Sequence, residues 1–298
     1  MQTNVLRAII NLVNTDVTNL SHRYSSTNRA NQMGEGLESY VKDLFAGTIY
    51  EVNEQKRLEN YGNTFSYLGN QNNPPDIIIR GGDAIEVKKI ELSKNSSFSS
   101  TLALNSSYPK DKLYSNNSMI TEECRSCEVW TEKDILYIIG IVEKTTLREL
   151  FFIYGIDYAA KKAVYERIKE TISKGIREIP DVEFAKTNEL ARINKIDPLG
   201  ITDLRVRGMW QIVNPINVFK YVHNRTVNSD FTMQCIINEE KIESFTTELV
   251  ELRNLTKQKN QLKINNIVIK DPNNPAKLKK AYHIVYDIGI SQDERGRR

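Results

Sequence analysis

Apolar residues recur at helical spacing from the start of the chain: Leu6, Ile9, Ile10 and Val13 line one face of a helix predicted over 4–13. Leu37, Tyr40, Val41 and Leu44 repeat that spacing and predict a second amphipathic helix over 33–45. Between them lies a polar loop from Ser21 to Gln32 that carries Arg29. Strand-like segments then fall around 48–53 and 64–68, and residues 75–91 read as a hairpin turning at Gly81-Gly82. Residues 93–118, rich in Ser and Asn, predict loops with short elements. Residues 135–142 form a buried apolar run whose hairpin partner is 149–155, followed by a surface helix over 157–174 and a strand over 204–213. From Thr226 the pattern changes: a charged helix over 239–257, a short strand at 264–269, a basic loop at 272–280 and a last strand at 281–290. The tail from Asp293 is expected to fray. No internal repeat is present.

Composition adds little to that picture. The chain has 298 residues, 40% apolar and 27% charged, ordinary for a globular protein of one large domain or two modest ones. A net charge of +3 does not announce nucleic-acid binding, although acidic metal ligands would mask a basic groove in the total. No run is long enough to span a bilayer, and the N-terminus lacks a signal peptide's basic region and apolar core, so the expected location is the cytoplasm, with no membrane partner. Cys124 and Cys127 have the spacing of zinc and redox motifs. Closing a zinc site would require Cys235 and one of His22, His223 or His283, with no second pair at knuckle spacing, and reduced bystander thiols are the expectation.

The chemistry concentrates in the hairpin. Pro75-Asp76 is followed by nine residues and then Glu86-Val87-Lys88. Side chains alternate across a strand, so Glu86 and Lys88 share one face while Ile85 and Val87 point into the core. The hairpin brings Asp76 near Glu86. Two adjacent carboxylates repel and are costly to hold ionised unless a divalent cation sits between them. Magnesium held there can polarise a phosphoryl oxygen and acidify a bound water, and a lysine can orient that water or offset charge on phosphorus. The bland alternative is a surface hairpin with three charges. The runs Ile77-Ile78-Ile79 and Ala84-Ile85 argue against it, because in a strand buried on both faces unpaired charges are expensive. Lys89 points opposite Lys88 unless a bulge exchanges them, and the E-x-K spacing selects Lys88. Asp83 sits in the turn, away from the ligand end.

The pattern resembles the PD-(D/E)xK nuclease superfamily. The wider string, Asn63 through Asp76, Glu86-Val87-Lys88-Lys89-Ile90, Leu102 through Pro109 and Asp197 through Trp210, is similar to type II restriction endonucleases of the NgoPII kind, over residues 1–222. The resemblance implies an α/β fold with a mixed central sheet flanked by helices over 1–225, and a smaller C-terminal α+β extension of unknown role over 226–298. It implies that the Val87 main-chain carbonyl completes a metal shell begun by Asp76 and Glu86. It also implies that a glutamate of the preceding helix approaches the metal. Glu38 suits that role best and Glu35 second, and Glu38 is equally placed to pair with Lys42 at i,i+4. Mg2+ is the expected cofactor, with Mn2+ substituting and Ca2+ binding without supporting cleavage. A short GC-rich palindrome such as GGCC is the implied target.

Base reading has three candidate segments, because Arg and Lys read guanine and Asn and Gln read adenine in the major groove. Asn70, Gln71, Asn72 and Asn73 lead into the hairpin, although turn chemistry explains asparagines there equally well. Asn105, Ser106, Ser107 and Tyr108 follow the catalytic strand. Arg205 and Arg207, two apart on a strand, point the same way, as they would on a solvated face too. Lys89, Lys94, Lys110 and Lys112 suit phosphates better than bases, and Arg29 is a further candidate for contact with DNA.

Three functions compete: a restriction endonuclease, a nuclease of the same core in repair or junction resolution, and a non-catalytic DNA-binding module. The last predicts a lost ligand, yet Asp76, Glu86 and Lys88 are all present. The reading adopted is a magnesium-dependent type II restriction endonuclease acting on double-stranded DNA. A two-fold homodimer is the simplest way to cut both antiparallel strands of a palindrome. A cognate DNA methyltransferase is the expected genetic rather than physical partner.

Overall fold

The computed structural model describes residues 3–20, 32–70, 73–92, 104–106, 109–187, 189–222 and 229–289, with only the backbone of 32–35 and 70. The chain opens with helices α1 (Val5–Thr15), α2 (Gln32–Ala46) and α3 (Glu54–Thr64). Strands β1 (Phe65–Asn70), β2 (Asn73–Ile79) and β3 (Ala84–Leu92) follow as an antiparallel meander. Next come β4 (Leu104–Ser106), β5 (Lys112–Tyr114), the short α4 (Glu122–Ser126), and the antiparallel pair β6 (Glu132–Glu143) and β7 (Thr146–Tyr154). After α5 (Gly155–Tyr158) and α6 (Lys162–Ile176) lie β8 (Glu183–Phe184), β9 (Ala191–Asn194), β10 (Leu204–Val206), β11 (Trp210–Ile212) and α7 (Pro215–Val218). The chain closes with β12 (Ser229–Asn238), α8 (Glu239–Glu243), α9 (Thr246–Thr256), β13 (Leu262–Asp271) and β14 (Asn274–Gly289).

Among the described residues, nine strands form one mixed sheet in the order β1-β2-β3-β6-β7-β12-β14-β13, with β5 attached to β6. Two pairings are parallel, β3 with β6 and β7 with β12. The central strands are buried on both faces, which is why their sequences are nearly continuous runs of Ile, Val, Leu and Phe. One face is covered by α1, α2 and α9, through Leu6, Ile9, Leu37, Val41, Leu44 and Leu252 packed on Ile85, Val87 and Ile138. The other face carries Ala84, Ile90, Tyr137, Ile139 and Phe151 under Leu113, Cys124, Tyr158 and Phe219. The Asn4 side chain caps α1, and Arg7 pairs with Glu251 at 2.7 Å to tie α1 to α9. Asp43 of α2 is fully buried and bonded by Arg57 (2.9 and 3.0 Å) and Tyr61 (2.8 Å) of α3, which fixes α2 on the sheet.

The C-terminal part adds to the core by extending its sheet: β12 sits against β7, and β14 and β13 continue outward. Several elements differ from expectation. Residues 48–53 are a short turn and irregular chain, and the polar stretch after them is α3, capped by Asn53 and burying only Tyr61. The strand expected over 204–213 is split into β10, paired with β9, and β11, paired with β4. The basic segment 274–280 belongs to the long strand β14, and β12 was not foreseen. The surface helix is observed as α6, which buries none of its residues. No helix among the described residues is long and apolar enough to cross a membrane.

Candidate active site

The hairpin delivers its three charges to one point. Ile77 pairs with Ile85 and Ile78 with Ala84, a register that sets Asp76 opposite Glu86. Asp76 Oδ2 accepts the main-chain N–H of Val87 at 2.6 Å. Lys88 Nζ donates to Glu86 Oε1 at 2.7 Å. Glu86 is 6% exposed, whereas the Lys88 side chain is 25% exposed and reachable from solvent. Gly69 lies against the same backbone: a Cβ there would sit 2.3 Å from the Pro75 carbonyl oxygen and 3.0 Å from that of Asp76, so only glycine lets β1 approach β2 at this level.

The electrostatics follow from burial and crowding. Burial and then the adjacent Glu86 charge push the Asp76 carboxyl up to about 7, with Glu38 on α2 adding to the rise and Lys88 opposing it. Burial also pushes Glu86 up, but Lys110 and Lys88 together outweigh it and hold Glu86 below the usual carboxylate range. Burial lowers Lys88, and the charges of Glu86, Asp76 and Glu38 more than restore it, so Lys88 stays an ammonium. Glu86 Oε2 is buried with no hydrogen bond. Among the described residues no three acidic, histidine or cysteine side chains cluster as a metal site. A cation here would therefore be held by two carboxylates and a main-chain carbonyl. That is a hard-oxygen donor set suited to Mg2+.

A family model for NgoPII restriction endonucleases matches residues 3–270. The chain belongs to this family. It is 50% identical over 288 residues to the type II restriction enzyme NgoPII of Neisseria gonorrhoeae, covering 96% of this chain and 100% of that protein. No solved structure matches the chain. The NgoPII-family chain is thus a site-specific restriction endonuclease, and the match runs past residue 222, where the resemblance read from the sequence stopped.

The remaining residues singled out in this NgoPII-family chain divide by environment. Glu38 acts on the site through its charge, which bears on both Asp76 and Lys88. Lys89 points away from Glu86 and pairs with Glu91, which agrees with a regular strand. Asn73 donates its side-chain amide to the Met119 carbonyl at 2.9 Å, the bond of a structural asparagine. Asn105 is exposed on β4 and pairs in register with exposed Gln211 of β11, while Ser106 beside it is buried opposite Trp210. Arg205 and Arg207 do point the same way, both bonding Glu189 at 2.6 Å. Lys112 pairs with Glu132 at 2.7 Å. Lys110, expected at a phosphate, is instead buried behind Glu86. Arg29, Gln71, Asn72, Lys94, Ser107 and Tyr108 lie outside the described residues, as do the side chains of Glu35 and Asn70.

Of the three free cysteines, Cys124 lies in the core of one sheet face and Cys235 in that of the other, which separates the thiols a zinc site would need. His283 is buried against Gln234, and His22 and His223 are outside the described residues. Sequence reasoning missed Gln211, because a single Gln in a three-residue strand gives no signal until its partner strand is known.

Proposed function

We propose that Asp76, Glu86 and the Val87 main-chain carbonyl hold Mg2+ for hydrolysis of double-stranded DNA at a short GC-rich palindrome, GGCC. One observation carries the reading: the Asp76–Val87 and Lys88–Glu86 bonds, 2.6 and 2.7 Å, gather two carboxylates and an ammonium at one place on the sheet. The cation supplies Lewis acidity toward the scissile phosphate and a more acidic water. Glu86 anchors Lys88, whose ammonium orients the attacking water or offsets charge on phosphorus. Glu38 adds negative charge that favours the cation. Mn2+ substitutes for Mg2+, and Ca2+ supports binding without cleavage.

The ribbon of β4 and β11 is the proposed reader of base edges, since a two-stranded ribbon fits the major groove and its outward positions are Asn105 and Gln211. Arg205 and Arg207 are the proposed guanine contacts, and Lys89 and Arg29 phosphate contacts. The GGCC target rests on the family resemblance. A palindromic target calls for a homodimer, with a cognate methyltransferase protecting host DNA. Digestion of plasmid with Mg2+ or with chelator, followed by sequencing of the ends, tests the proposal: discrete fragments ending within GGCC support it, and smears or chelator-resistant cutting refute it.

A further inference from the structure

We infer that Lys110 is a positioning residue of the active site, holding the second carboxylate oxygen of Glu86 from the buried side rather than contacting DNA phosphate. The inference rests on the reading of Glu86 as an active-site carboxylate. Glu86 Oε1 is bonded by Lys88, whereas Oε2 is buried and makes no hydrogen bond. Lys110 Nζ lies 3.8 Å from that oxygen, an ion pair rather than a hydrogen bond, and the Lys110 side chain is 2% exposed. An ammonium so enclosed cannot reach the backbone of a duplex, because phosphate contacts are made at the protein surface. It is also too costly to bury without a counter-charge.

The fold builds this placement deliberately. Tyr137 is the in-register partner of Glu86 across the parallel pair β3 and β6. Its hydroxyl accepts the Lys110 N–H and donates to the Lys110 carbonyl, both at 3.1 Å. Gly155 presses on the same backbone: a Cβ there would stand 2.6 Å from the Lys110 carbonyl oxygen and 2.5 Å from that of Asp111. The loop is thus seated by one hydroxyl and one glycine. The two lysines divide the work on Glu86, Lys88 from the side solvent can reach and Lys110 from within.

The test compares full-length Lys110→Met and Lys110→Arg with the parent chain. One measurement is duplex binding in chelator across a salt series, and the other is single-turnover cleavage across Mg2+ concentrations. Lys110→Met is expected to leave the affinity and salt slope unchanged while cleavage falls by about 10–100-fold, with partial recovery in Lys110→Arg. A salt slope reduced by about one makes Lys110 a phosphate anchor and overturns the inference, as does undiminished cleavage. Should Lys110→Met unfold, thermal melts of Lys110→Met paired with Glu86→Gln decide. Recovery of the melting temperature upholds the coupling and no recovery overturns it. Cleavage surviving in Glu86→Ala would instead sink the underlying reading of the site.

Discussion

Asp76 is fastened to Val87: its carboxylate takes the main-chain N–H of the residue lying between Glu86 and Lys88, at 2.6 Å. The spacing of the two acids is therefore set by backbone pairing of β2 and β3 and not by free rotamers, the kind of preorganisation a reactive site needs. Gly69 sits behind this arrangement. Gly69→Ala must push β1 off the Pro75–Asp76 backbone, since the obstructing atoms are main-chain oxygens. The expected cost is about 1–3 kcal/mol in stability, with a larger proportional loss in cleavage than in duplex affinity. Denaturant melts and single-turnover rates check it.

Lys88 and Lys89 emerge on opposite sides of β3, toward Glu86 and Glu91 respectively. Lys88→Ala should slow cleavage by about 10²–10⁴-fold at saturating DNA, whereas Lys89→Ala should act mainly on binding and its salt dependence. A larger rate loss from Lys89→Ala would mean that the strand is bulged in the working enzyme.

Asn105 and Gln211 face outward from one paired position of the β4–β11 ribbon. Gln211→Ala and Asn105→Ala should each narrow the gap between target and non-target duplex by about 1–3 kcal/mol. Arg205→Ala should do the same once Arg205 leaves Glu189 for DNA. Competition binding with single-base variants of the site separates this outcome from a uniform loss, which would mark a phosphate anchor.

Lys241 of α8 joins the C-terminal part to the catalytic hairpin, bonding Asp83 of the turn and Asp134 of β6 at 2.7 Å each, while Tyr154 bonds Asp83 at 2.7 Å. Lys241→Met takes the shared cation from two carboxylates, leaving Asp83 with Tyr154 and Asp134 with Lys112, and should cost about 1–3 kcal/mol, read by chemical denaturation. Truncation after residue 225 should leave an insoluble chain, because it strips β12 from β7 and removes Met233, Cys235, Leu252 and Ile284 from the core.

Much of this was legible in the sequence. The hairpin with Asp76, Glu86 and Lys88 follows from alternation and a Gly-Gly turn, α1 and α2 from helical periodicity, and β6 and β7 from their apolar runs. The rest was hidden for physical reasons. β12 is buried on both faces yet carries Thr232 and Gln234, whose polarity is satisfied by distant Asp287, Glu149 and His283. α3 is too polar to announce itself, since a single tyrosine anchors it. Lys110 looked like a surface lysine in a polar loop, and the contacts of Tyr137 and Gly155 with its backbone were not visible in the sequence.

The most direct test of the account is cleavage of a GGCC-containing duplex by Asp76→Ala and Glu86→Ala, with duplex binding measured in parallel in chelator. The account predicts cleavage below detection in both variants with metal-independent binding retained. Substantial Mg2+-dependent cutting by either would remove the β2–β3 hairpin from the chemistry and contradict it.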